Sequence, residues 1–146
     1  MAAEAYNETG TDRQKAWDLL NSVRTRAEAT SITEANYDEM MSARKKTHNL
    51  TFIDDSTPEG KFRTALYWER GFELAFEGQR KYDLIRWGVL GKALKLFGEI
   101  SSVNQKENKP YPAYRNFTEG KHELFPIPLK EIQSNPKLNG MNNNGY

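Results

Sequence analysis

Cysteine is missing from this 146-residue chain, which removes disulfide bridges, a thiolate nucleophile and any cysteine-ligated metal. Net charge is nearly missing too. Lys and Arg number 21 against 20 Asp and Glu, with no basic run longer than Arg44-Lys45-Lys46, so nothing steers the chain onto nucleic acid or an anionic membrane. No apolar stretch approaches the roughly 20 residues of a membrane span. The opening Met1-Ala2-Ala3-Glu4-Ala5-Tyr6 has neither the basic start nor the apolar core of a signal peptide, so either the protein is cytosolic or its start lies upstream. Val and Ile are sparse, at three and six, and no useful stretch alternates apolar and polar residues as a half-buried strand does. The two histidines, His48 and His122, have no ligand partner at helical spacing, so no metal site is expected. No Gly-x-Ser-x-Gly turn and no glycine-rich turn after a strand is present; hydrolase and nucleotide readings lose their carriers, and no cofactor is expected.

What remains is helix. With 37% hydrophobic and 12% aromatic residues the core is lean but aromatic-rich, and the length suits one domain or a piece of a larger one. A first helix reaches about Glu8 and is closed by Thr9-Gly10, because Gly enters the left-handed region at little cost. It begins in mid-pattern, which leads to the expectation that Met1 is an internal residue of something longer. Thr11, with Gln14 completing a capping box, opens a second helix whose apolar face is Ala16, Leu19, Leu20, Val23 and Ala27. Periodicity then fades: a short helix fits residues 34 to 46, and 49 to 56 reads as loop. Ser56 as N-cap, Pro58 and Glu59 start a helix predicted to reach Glu77. A further helix is predicted from Gln79 to Phe97. Residues 98–123 form a long loop and 124–146 an extended strap and tail, the strap set by Leu124-Phe125-Pro126-Ile127-Pro128. The fold class is all-α with long irregular loops.

Two groups of residues stand out. Glu69 and Glu73 fall among Phe62, Leu66, Phe72 and Phe76 on one helical face, and buried carboxylates need partners. Arg80 and Arg86 are expected to answer them as a polar clamp joining two helices, with Arg24 and Arg26 as the other available cations and Asp83–Arg86 as a surface pair. The carboxylates read as structural rather than catalytic, so no catalytic residue is assigned. Trp17, Tyr67, Trp68 and Trp87 read as core. Tyr111, Tyr114 and Arg115 differ, because they sit in the Pro-rich loop beside Asn116. A solvent-facing Tyr with guanidinium and amide donors nearby can stack on a sugar ring and bond its hydroxyls.

The run from Ala5-Tyr6 through Gly10 to Ala16, Leu20 and Val23 resembles a tetratricopeptide helix pair. More specific is the run Trp68-Glu69-Arg70-Gly71-Phe72-Glu73-Leu74-Ala75-Phe76-Glu77-Gly78-Gln79-Arg80-Lys81-Tyr82-Asp83-Leu84-Ile85-Arg86-Trp87-Gly88. It is followed by Leu124-Phe125-Pro126-Ile127-Pro128, Glu131-Ile132, Asn135-Pro136 and the closing Gly145-Tyr146. This order resembles the C-terminal region of the SusD/RagB family of nutrient-binding outer-membrane lipoproteins of Bacteroidetes. Where relatives commonly end Asn-Pro-Gly-Tyr, this chain has Asn143-Asn144-Gly145-Tyr146. The resemblance covers residues 1–146 as one SusD-like helical region of a longer chain. It implies a non-enzymatic cell-surface protein that captures oligosaccharides, or in some members peptides, and passes them to a SusC-like TonB-dependent transporter. The membrane is reached only through a lipidated Cys upstream, and most of the ligand site also lies upstream, leaving this region chiefly scaffold. The alternative is a free-standing tetratricopeptide-type module that binds a protein segment in a helical groove.

Overall fold

A computed structural model describes residues 1–100 and 112–146. Among these there are eight α-helices and no strand: α1 (Ala2–Thr9), α2 (Arg13–Arg26), α3 (Tyr37–Thr47), α4 (Pro58–Glu73), α5 (Arg80–Arg86), α6 (Leu90–Ile100), α7 (Pro112–Arg115) and α8 (Leu129–Ser134). A 3-10 turn, Pro136–Leu138, follows. The protein is all-α. None of the described helices is long and apolar enough to cross a membrane. The chain forms two compact units, Met1–Lys81 and Tyr82–Tyr146.

In the first unit α1 and α2 fold back on one another across a short turn, and both pack on α4. Gly10 closes α1 at φ 65°, as the sequence requires. The cap of α2 is Asp12 rather than Thr11: Asp12 accepts from the Lys15 amide at 2.8 Å, while the Thr11 hydroxyl is engaged with that of Thr9. Likewise Thr57, not Ser56, caps α4, accepting from the Gly60 amide at 3.1 Å, because Ser56 turns back to bond Asp54. Ala16, Trp17 and Leu20 of α2, Phe62, Ala65 and Leu66 of α4, and Ile32, Tyr37, Met41 and Leu50 are among the buried apolar residues of this unit's core. Trp17 and Phe62 pack edge to face at 4.9 Å.

The weakly periodic stretch after α2 is ordered by polar clasps. Asn21 bonds both backbone groups of Ile32, at 2.7 and 2.8 Å. Fully buried Tyr37 donates to Asp55 at 2.7 Å, and Lys45 reaches the same carboxylate at 2.8 Å. Burial, the Asp55 hydrogen bond and the negative charges beside it push the Tyr37 hydroxyl well above its ordinary pKa.

α4 ends at Glu73, short of the predicted Glu77, in a run of turns where Phe76 and Gly78 both take positive φ. The helix predicted over Gln79 to Phe97 is two helices. Gly88, at φ 67°, ends α5 with a reciprocal pair of bonds: the Val89 amide to the Leu84 carbonyl and the Gly88 amide to that of Ile85, both 2.9 Å. That is the Schellman geometry, and it satisfies carbonyls left over at a helix end. Within the segment read as a loop over 98–123, Gly98–Ile100 are the last turn of α6 and Pro112–Arg115 form α7.

Candidate functional site

The second unit holds a cleft of about 370 Å³, within the roughly 300–1,000 Å³ range of small-molecule sites. Its construction begins with two glycines. Gly91 and Gly98 lie two turns apart on α6, and therefore on one face. A β-carbon at Gly91 would meet the Phe117 ring at 2.7 Å, and one at Gly98 would meet the Tyr114 ring at the same distance. The missing side chains let both rings lie directly on the helix. Past α7 the chain is held in a tight turn, where the Thr118 amide donates to His122 Nδ1 at 2.7 Å and the His122 and Phe117 rings sit 6.0 Å apart.

Leu84, Ile85 and Leu90 give the cleft apolar wall, Tyr114 and Phe117 give it aromatic wall, and Lys92, Lys95, Glu119 and Glu123 bring charge. Glu123 differs from the other polar residues of the lining. Its Oε2 is buried and has no hydrogen-bond partner among the described residues, a condition that native structures rarely tolerate without a reason. The four charges sum to zero, so the lining favours neither a cation nor an anion as a whole.

The strap that follows Glu123 in sequence is fixed by the asparagine tail. The Ile127 amide donates to Asn142 Oδ1 at 2.7 Å, and Asn142 Nδ2 returns to the Ile127 carbonyl at 3.4 Å. Asn143 donates to the Phe125 carbonyl at 2.6 Å, and the Tyr146 hydroxyl to that of Leu124 at 3.1 Å. Proline-flanked backbone cannot pair with itself, and amide side chains supply the missing partners.

Of the three residues expected to touch ligand, Tyr114 is half-buried in the cleft, whereas Arg115 is exposed on α7 and does not line it. Tyr111 lies outside the described residues. The polar cluster is wired differently from the expected clamp. Glu69 pairs with Arg24 of α2 at 2.5 Å and Glu73 pairs with Arg26, because α2 packs along α4 and brings its last turn to that face. Arg80 instead donates to the Tyr67 carbonyl at 2.8 Å and lies 3.9 Å from the centre of the Tyr67 ring. Arg86 bonds Asp83 at 3.0 Å, the spacing expected, but Asp83 is buried at 4% exposure and the pair is only half at the surface. On α4, Trp68 and Phe72 stack at 6.1 Å and Arg44 covers both rings. Burial and the nearby Arg24 charge hold the Arg44 pKa below its ordinary value, against the pull of Glu69.

SusD-like protein P25 of Formosa agariphila is 36% identical over 148 residues, an alignment that takes in all of this chain and 23% of that protein. SusD-like protein P2 of the same organism is 32% identical over 146 residues, again all of this chain and 24% of the relative. The chain thus spans about a quarter of the length of the curated relatives it matches. No solved structure gives a significant match. The family model described as the SusD family matches residues 1–146, and with relatives at this identity along its full length the chain belongs to the SusD family.

Proposed function

We propose that this chain is the C-terminal helical portion of a non-enzymatic binding protein of the outer-membrane surface, one that captures oligosaccharides and passes them to a SusC-like TonB-dependent transporter. The observation that carries the reading is the family match along residues 1–146. The full protein, about four times longer by analogy with its relatives, would supply the lipid anchor and most of the ligand surface. In this portion Tyr114, Tyr111 and Arg115 are the residues assigned to ligand contact, while Glu69, Glu73, Arg80, Asp83 and Arg86 are structural: Glu69 and Glu73 tie α4 to α2, Arg80 bonds the Tyr67 carbonyl, and Asp83 and Arg86 pair within α5.

The near-neutral balance of 21 basic and 20 acidic residues suits an uncharged ligand. The test is affinity purification of the tagged full-length protein from detergent-extracted outer membranes of its own bacterium. A TonB-dependent transporter recovered in stoichiometric amount supports the reading. Its absence from a preparation in which the protein is intact, lipidated and exposed at the surface contradicts it.

A further inference from the structure

We infer that the cleft of the second unit is a binding subsite for a single uncharged sugar ring, with Glu123 as its hydroxyl acceptor and Tyr114 and Phe117 as its apolar walls. The inference rests on the oligosaccharide reading above and adds to it a place and a chemistry. Three observations on independent features converge there.

The first is the carboxylate. Glu123 Oε2 is buried and unpartnered among the described residues, and stranding an acceptor in this way is unfavourable unless something else donates to it. A ligand hydroxyl would do so as a charge-assisted hydrogen bond, stronger than one between neutral groups. The second is the aromatic wall. Gly91 and Gly98 seat the Phe117 and Tyr114 rings against α6; rings held in this way lose little freedom when a ligand's apolar C–H face packs on them. The third is the charge count. Lys92 and Lys95 at the cleft oppose Glu119 and Glu123, so a charged ligand gains from one pair and is repelled by the other. A polyhydroxy ring that both accepts from Lys and donates to Glu uses all of them.

The probes are methyl β-glucopyranoside and methyl β-galactopyranoside, titrated into the full-length protein carrying 3-fluorotyrosine, with the ¹⁹F resonance of Tyr114 as the reporter and identified by its loss in Tyr114→Phe. At least one of the two should give a saturable shift. Glu123→Ala and Glu123→Gln should each weaken that binding at least tenfold while melting at or above the wild-type temperature, because the stranded oxygen contributes nothing to the unliganded fold. The melting readout separates a ligand contact from a structural residue. A shift that is absent or unsaturable for both probes overturns the inference, as does binding unchanged in both Glu123 variants, or binding lost together with a fall in melting temperature in both. An oligosaccharide array on the same protein keeps the two claims apart. Array binding that survives the Glu123 variants leaves the broader reading intact and removes this subsite, whereas a blank array with a saturable Tyr114 shift does the reverse.

Discussion

Glu69 and Glu73 stand one helical turn apart on α4, carry the same group and each meet an arginine of α2, yet they should differ sharply in what they contribute. The side chains of Arg24 and Glu69 keep 11% and 13% of their exposure, whereas those of Arg26 and Glu73 keep 67% and 38%. Replacing Glu69 with Leu leaves Arg24 charged in a poorly hydrated site beside Arg44, itself held partly out of water. Breaking a buried pair by removing one partner costs about 3–5 kcal/mol. Arg24 retains its bond to the Thr30 carbonyl at 2.8 Å, which with the residual exposure places the loss near the lower end, about 3 kcal/mol. Replacing Glu73 with Leu removes a pair that water already screens, and little should change. Hydrogen exchange of the α2 and α4 amides in the intact protein is the suitable assay, because it reads local opening without requiring a larger protein to melt in one step. At 1.4 kcal/mol per tenfold, Glu69→Leu should speed exchange of the most protected α2 amides by roughly a hundredfold. Glu73→Leu should leave them within about threefold, the scale of a surface pair. Equal effects from the two substitutions, or a larger one from Glu73→Leu, would refute the argument that burial sets the worth of these carboxylates.

Three further outcomes follow from the same structure. Glu28 closes α2 at φ 53°, a conformation that costs a side-chain-bearing residue roughly 1–2 kcal/mol, so Glu28→Gly should stabilise the first unit by about 1 kcal/mol, read as slower exchange of the last α2 amides. Asn142→Ala removes both bonds to Ile127 and should cost about 1–3 kcal/mol by leaving half-buried backbone unpaired; protease cleavage near Phe125 should rise, and an unchanged digestion pattern would deny the clasp. Acid should loosen the first unit. The Arg63 hydrogen bond holds Glu8 below its ordinary 4.5, Lys61 and Lys45 hold Asp38 below 3.8, and at Asp55 burial pushes upward but Lys45 and Tyr37 outweigh it. Folded values below unfolded ones mean that this stability is complete above the unfolded values and lost as pH falls through the folded ones. Melting temperature should therefore hold steady down to about pH 5 and drop below about pH 4, less steeply in Arg63→Met, which no longer perturbs Glu8.

Much of the fold was legible because single residues announce it. Gly10 and Pro58 mark helix ends by backbone geometry alone, and the α2 and α4 faces repeat at the helical period. The caps slipped by one residue, to Asp12 and Thr57, because neighbouring hydroxyls compete for the same role and only their other hydrogen bonds decide between them. The break at Gly88 was visible as a glycine but not as a stop, since that depends on the Val89–Leu84 bond. Arg24 and Arg26 stood among the candidate partners of Glu69 and Glu73, but the sequence favoured Arg80 and Arg86 over them for a different reason. Arg80 is near in sequence, but Arg24 and Arg26 are brought close only by packing. In the cleft, Tyr114 could be singled out as an aromatic beside polar loop residues. Glu123 and Phe117 could not, because nothing local to them points to α6; the one signal was a pair of glycines two turns apart, followed later by aromatic residues.

Whether the complete protein binds oligosaccharides is decided by isothermal titration of the full-length protein against oligosaccharides that support growth of its own bacterium. At least one such uncharged oligosaccharide should bind saturably, with no change in the sugar over hours of incubation. Binding confined to peptides, or turnover of the sugar by the purified protein, would contradict it.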